Sequence, residues 1–317
     1  QMNPAVFDQT TIDIAGAGGH GIRLLNAHLN ALRTNFATAE RGIGNCGGDG
    51  IRVEDGQENQ ISWGGKDIFA CAGAGIRLVG GRKNSVHAEI SACGSGCVAS
   101  NSVACGFGGL IEDCTGNGLT LVGGSNHILN GLVVQGCQGH GIVLDGCSGN
   151  VFATGDPPRA ENNGGSGLHL TGGSRYNSIT GHYHANAAGI VMEGVGTAHN
   201  TLRNAMVWAG AENAGNRGPG LHIRGGASDN VVVALCRFEY NQGDGILIEG
   251  AGTSRNMVGE PDTRWNQGAG LVIRGPGAEA NVGDGVMAFG CQGPGVVIAD
   301  GALGTELTRV DIRECAG

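Results

Sequence analysis

Apolar residues recur along this chain in one short phrase, Gly, aliphatic, any residue, aliphatic, repeated through all 317 residues. Copies begin at Gly21, Gly50, Gly75, Gly118, Gly141, Gly167, Gly189, Gly220, Gly245, Gly270 and Gly295, with a degenerate copy, Gly-Cys-Val-Ala, at Gly96. Alternation in a strand sends the first and third residues after each Gly to one side and the second and fourth to the other. The first side is aliphatic, as in Ile51/Val53, Ile76/Leu78, Ile142/Leu144, Leu221/Ile223 and Ile246/Ile248. One strand of four residues cannot bury such a pair alone, so each pair must stack on its counterparts in neighbouring repeats.

After most copies comes a turn, often Gly-Gly, and then Asn-x-aliphatic: Asn84-Ser-Val, Asn126-His-Ile, Asn177-Ser-Ile, Asn200-Thr-Leu, Asn230-Val-Val and Asn256-Met-Val. This marks a second short strand, and in some repeats a third apolar segment follows, such as Leu132 to Val134. No run shows the 3.6-residue period of a helix. The reading is an all-β parallel β-solenoid of about twelve coils of about 25 residues, a rod on the order of 58 Å long at the usual strand spacing. It predicts a single domain over 1–317 with partial coils at both ends. Thr11-Ile12-Asp13-Ile14 and Arg309-Val310-Asp311-Ile312 fall at the same phase of the repeat. Ile12, Ile14, Val310 and Ile312 are therefore expected to stack end to end on another copy.

The Gly-x-x-x phrase with its Gly-Gly-x-x-x-Asn-x-aliphatic turns resembles the right-handed parallel β-helix repeat of the pectate-lyase-like superfamily, over nearly the whole chain. The resemblance implies a single-stranded right-handed parallel β-helix and a secreted or cell-surface setting. Its motifs specify fold rather than function, because the superfamily includes polysaccharide lyases, glycoside hydrolases, epimerases and non-catalytic surface proteins.

Composition narrows the partners. The net charge is −9 with only two lysines and no basic run, which argues against nucleic acid. No stretch approaches the roughly 18 to 20 apolar residues of a membrane span. Counting four residues back from each Gly gives Ala17, Cys46, Cys71, Ala92, Cys114, Cys137, Asn163, Ala185, Asn216, Asn241, Asn266 and Cys291, one slot filled by small residues. The eleven cysteines lack the paired spacing of zinc sites, so no metal and no cofactor is expected. Cys93, Cys97 and Cys105 crowd one coil and are candidates for a local disulfide.

The outward positions carry the remaining chemistry. The fourth residue after Gly reads Glu193, Arg224, Glu249, Arg274 in successive coils, a pattern that predicts a ladder of surface ion pairs. The second is apolar at Val191, Leu247, Val272 and Val297, interrupted by His222, whereas Arg23, Arg52 and Arg77 fill it at the other end. An exposed apolar row of this kind is expected to be an interface. His20 and His140 lie in Gly-His-Gly contexts that resemble polygalacturonase-type hydrolases, but the chain has no Asp-Asp pair, and both occupy a variable turn slot. His182 and His184 share one strand face with no third metal ligand in view. With no catalytic residue assignable, the expected function is an extracellular structural or adhesive β-solenoid. Its expected partner is itself, end to end or side by side, in filaments. The alternative is a secreted carbohydrate-active β-helix enzyme, a polysaccharide lyase or glycoside hydrolase, and in either case a polysaccharide is a candidate partner.

Overall fold

The computed structural model describes residues 6–7, 14–35, 42–207, 215–233 and 235–316. Among them all regular elements are β-strands, and every strand pairing is parallel. The phrase that begins with Gly builds a first face of twelve stacked strands, from Ile22–Leu25 to Val296–Ala299. Its rungs are in register, Ile51 opposite Ile76, Ile142 opposite Leu168 and Ile246 opposite Leu271. Those aliphatics are fully buried, as stacking of matched pairs requires, whereas at the end rungs Ile22, Leu24 and Val296 are half-buried and Ile298 is exposed.

The rest of each rung supplies a second and a third face, joined in a 16-stranded sheet. Ile128–Gln135 shows how: it pairs with Val151–Phe152 through its first half and with Arg159–Glu161 through its second. Near the end of the rod the third face is completed by Met287–Phe289 against Asp311–Arg313. The glycine that opens each first-face strand is dictated by crowding. A Cβ on Gly118 would lie 2.1 Å from Val134 Cγ1 and 2.7 Å from the Gly141 carbonyl oxygen, so no other residue fits there.

Two buried ladders pin the corners. The first runs Asn59, Asn84, Cys105, His127, Asn150, Asn177, Asn200, Asn230, Asn256, Asn281, and each asparagine Oδ1 accepts the backbone N–H of the same slot one rung earlier. Asn177 donates to Asn200 at 3.2 Å, and Asn200 donates to Asn230 at 3.1 Å. Asn126, expected in this slot, sits one residue before it at a left-handed corner with φ 57°, and His127 takes its place. Burial pushes the His127 imidazole down to about 4; its Nδ1 accepts from the Cys105 N–H at 3.1 Å.

The second ladder reads Cys46, Cys71, Cys93, Cys114, Cys137, Asn163, Asn186, Asn216, Asn241, Asn266, Cys291, Cys315. Here the count of four residues fails twice. Ala92 and Ala185 are left-handed corner residues with φ 52° and 57°, and the slot itself is filled by Cys93 and Asn186, three residues before Gly96 and Gly189. The turn is one residue shorter on those rungs. All eleven cysteines are free thiols, so the disulfide expected among Cys93, Cys97 and Cys105 is not formed.

Candidate functional site

The outward row of the first face is not an open apolar surface. Val191, Leu247 and Val272 point away from the core but are only 4–5 % exposed, and Val297 is half-buried. Parallel register stacks them on one another, with His222 between Val191 and Leu247, and Ala269 of the turn packs against Leu247 and Val272 as a small second cluster. Ile14 and Val310 are half-buried against the main core, Ile312 is 48 % exposed, and Ile12 lies outside the described residues.

The ladder of charges beside this row forms as pairs. Arg224 Nη2 donates to Glu193 at 2.8 Å and Arg274 Nε to Glu249 at 2.9 Å. Each carboxylate also meets an imidazole from the preceding rung, His169 Nε2 at 3.3 Å from Glu193 and His222 Nε2 at 2.9 Å from Glu249. Burial lowers the pKa of both histidines, so at neutral pH these rows are largely ion pairs with neutral imidazoles attached. His140 meets His169 at a tilt with ring centroids 4.6 Å apart, and its Nδ1 accepts from the Ser166 N–H at 2.9 Å, a turn-holding bond. His20 has the same bond from Asp49.

A different arrangement stands on the third face. The residues two and four before each slot of the second ladder point outward, with Phe238, Thr263 and Ala288 inward between them. Successive rungs present Arg237 and Glu239, Asp262 and Arg264, Met287 and Phe289, then Asp311 and Arg313. Arg237, Asp262 and Met287 are in-register neighbours. Arg264 grips Asp262 through two bonds, the one from Nε at 2.6 Å, and its guanidinium carbon lies 5.6 Å from the centre of the Trp265 ring. Trp265 stacks on Tyr240 at 4.8 Å and meets Phe289 edge-on at 5.9 Å.

Beside them lies a cleft of about 480 Å³ lined by Arg237, Asp262, Arg264, Met287, Glu260 and Arg309. It adjoins a hollow of about 270 Å³ that also touches Phe289, Asp311 and Arg313, and the two share Arg264 and Met287. Glu239 meets Asp262 beside the cleft. It is 4 % exposed; burial first, and the Asp262 charge second, push its carboxyl up to about 7. A carboxyl that titrates near neutrality, hydrogen-bonded to a second carboxyl on the wall of a cleft, has the properties of a proton donor.

Sequence reasoning missed this group although a signal was present: each member stands two or four residues ahead of a ladder residue. His182 and His184 lie earlier on the same face, with His184 Nε2 3.3 Å from Glu161. Among the described residues no group of three metal-ligating side chains is assembled there or elsewhere.

No curated protein matches the chain in sequence. Solved structures do match it in shape. The A-modules of two mannuronan C-5 epimerases from Azotobacter vinelandii each superpose with a TM-score of 0.52 at 12 % identity, over 95 % of this chain and 92 % and 91 % of theirs. At that identity the likeness is one of fold. Residues 117–284, more than half of the sequence, match the family described as the right-handed beta helix region, and the chain belongs to that family.

Proposed function

We propose that the protein binds a polysaccharide in the third-face cleft. The observation that supports this is the composition of the cleft wall, where aromatic and thioether side chains alternate with arginine–carboxylate pairs already held in place. Sugar rings present apolar C–H faces that pack on aromatic rings, and hydroxyls that both donate to carboxylates and accept from guanidinium groups. Pairs fixed before the ligand arrives spare it the cost of ordering them. A role as a secreted or surface adhesive rod follows if binding is the whole function. Glu239, pushed up to about 7 by burial and by Asp262, favours the enzymatic alternative, since a carboxyl of that kind can hand a proton to a leaving oxygen.

Titration calorimetry with a panel of neutral and acidic oligosaccharides tests the reading. Phe289→Ala is expected to weaken the bound glycan about tenfold, because a ring lining a binding site contributes on that scale. No binding across the panel, or binding indifferent to Phe289→Ala, overturns it. Turnover that disappears in Glu239→Gln while binding persists decides for the enzyme over the adhesive.

Self-association is a second reading, favoured by Ile298 and Ile312, which are 46 % and 48 % exposed, and by the strand Val296–Ala299, which among the described residues is paired on one side only. Sedimentation across a concentration series tests it; a monomer throughout overturns it. Among the described residues no helix is long and apolar enough to cross a membrane.

A further inference from the structure

Arg23, Arg52 and Arg77 stand in one outward column of the first face on consecutive rungs, each the in-register partner of the next. Like charges placed directly opposite on adjacent strands repel, so the column persists only with compensation. Two carboxylates supply it. Asp49, in the turn ahead of Gly50 and 3 % exposed, accepts from the Ala74 N–H at 2.8 Å, from Arg77 Nε at 2.9 and 3.1 Å and from Arg52 Nη1 at 3.1 Å. Glu54 accepts from Arg52 Nε at 2.6 Å and from Arg23 Nε and Nη2 at 3.0 and 3.1 Å. Burial opposes the Asp49 charge, but the Ala74 amide and the arginines outweigh it and hold its pKa below the usual carboxylate range.

The direction of these bonds matters. Asp49 takes Arg77 through Nε alone, which leaves both Nη groups of Arg77 without a partner among the described residues. Arg52 keeps Nη2 and Arg23 keeps Nη1 in the same condition. A buried carboxylate and a half-buried one thus fix the stems and aim the guanidinium tips. Three positive charges against two negative ones also leave a local excess in a chain whose net charge is −9.

We infer that the Arg23, Arg52 and Arg77 column is an oxyanion-binding site that takes the carboxylate or sulfate groups of an acidic polysaccharide. Free guanidinium edges match such groups two bonds at a time. Because the tips repeat at the strand spacing of about 4.8 Å, three of them suit a linear polymer with an anionic group on successive sugars rather than a single small anion. The site lies on the rungs opened by Gly21, Gly50 and Gly75, several rungs from Asp262 and Arg264 and on another face. It therefore stands or falls independently of the cleft.

The test titrates the full chain with a short oligogalacturonide, a sulfated oligosaccharide of similar length and a neutral maltooligosaccharide, at low and high salt. At least one acidic probe is expected to bind, more weakly as salt rises. The probe that binds tells carboxylate from sulfate. Arg23→Gln with Arg52→Gln, which keeps Arg77 on Asp49, is expected to weaken that binding about tenfold or more, the scale of a charge-assisted bond. Phe289→Ala in the third-face cleft should leave it unchanged, and the double substitution should leave any neutral-glycan binding unchanged. Failure of both acidic probes, or acidic binding that survives the double substitution and is lost in Phe289→Ala, overturns the assignment. Thermal melting monitors folding. If the double variant unfolds, Arg23→Glu at the exposed edge of the column takes its place, and undiminished binding there is equally fatal.

Discussion

The second ladder divides the rod into two halves that solve one packing problem differently. From Cys46 to Cys137 five consecutive rungs fill the corner with thiols, while from Asn163 to Asn266 five fill it with amides. In the thiol half each sulfur makes a long bond to the carbonyl two residues earlier, 3.4 Å from Cys93 to Ser91 and 3.6 Å from Cys114 to Glu112; Cys93 also accepts the Cys71 N–H at 3.5 Å, and the sulfurs otherwise pack as small apolar groups. In the amide half each asparagine ties three rungs. Asn216 Oδ1 accepts from the Asn186 N–H at 3.0 Å, and its Nδ2 donates to the Tyr183 carbonyl at 3.1 Å and to Asn241 Oδ1 at 2.9 Å. The same slot is thus held by packing in one half and by a continuous polar chain in the other. A fully satisfied buried network is costly to interrupt, whereas a packed sulfur is cheap to trim.

The largest expected effect is therefore at Asn216. Asn216→Ala strands the Asn186 amide and the Tyr183 carbonyl in a dry corner and should destabilise the fold by about 3 kcal/mol, read by chemical denaturation. A loss below about 1 kcal/mol would erase the contrast between the halves.

The cleft in the amide half adds a pH dependence. Glu239 is pushed up to about 7 in the folded chain, against about 4.3 for an exposed glutamate, so the folded state holds the extra proton between those values. Stability should fall as pH rises from about 4.3 to 7 and then level off. Glu239→Gln should flatten that slope. An identical slope in wild type and variant would show that Glu239 carries none of it.

Cys114→Ala should be the mildest of the three, at about 1 kcal/mol, the loss of one small apolar group. A cost equal to that of Asn216→Ala would mean that the thiol ladder is as strongly bonded as the amide ladder.

The Gly phrase and its paired aliphatics made the first face readable, because a two-residue alternation after an obligatory glycine leaves little freedom in which way Ile246 and Ile248 point. Corner slots were read with less accuracy. A ladder is defined by stacking rather than by distance from a glycine, and turns one residue shorter at Cys93 and Asn186, or a histidine substituting at position 127, shift the count unseen. The burial of Val191, Leu247 and Val272 was illegible for another reason: alternation tells which side a residue faces, but not whether its column closes over itself. The cleft was half legible. Arg237, Glu239, Asp262 and Arg264 lie at constant offsets from Asn241 and Asn266, yet the proximity of Glu239 to Asp262 and its burial depend on three-dimensional packing.

Every interstrand bond in this rod runs roughly along its length, because the strands lie across the axis and pair only with the rung above and the rung below. Tension applied along the axis would therefore load the junctions in series, and the weakest one would part first while the others stayed closed. Extension would proceed as a train of small, nearly equal yields, each releasing one rung's worth of chain. The thiol-cornered rungs, which lie on both sides of the amide-cornered run, would give way at lower force, so a pulled molecule would lengthen from its flanks before its middle.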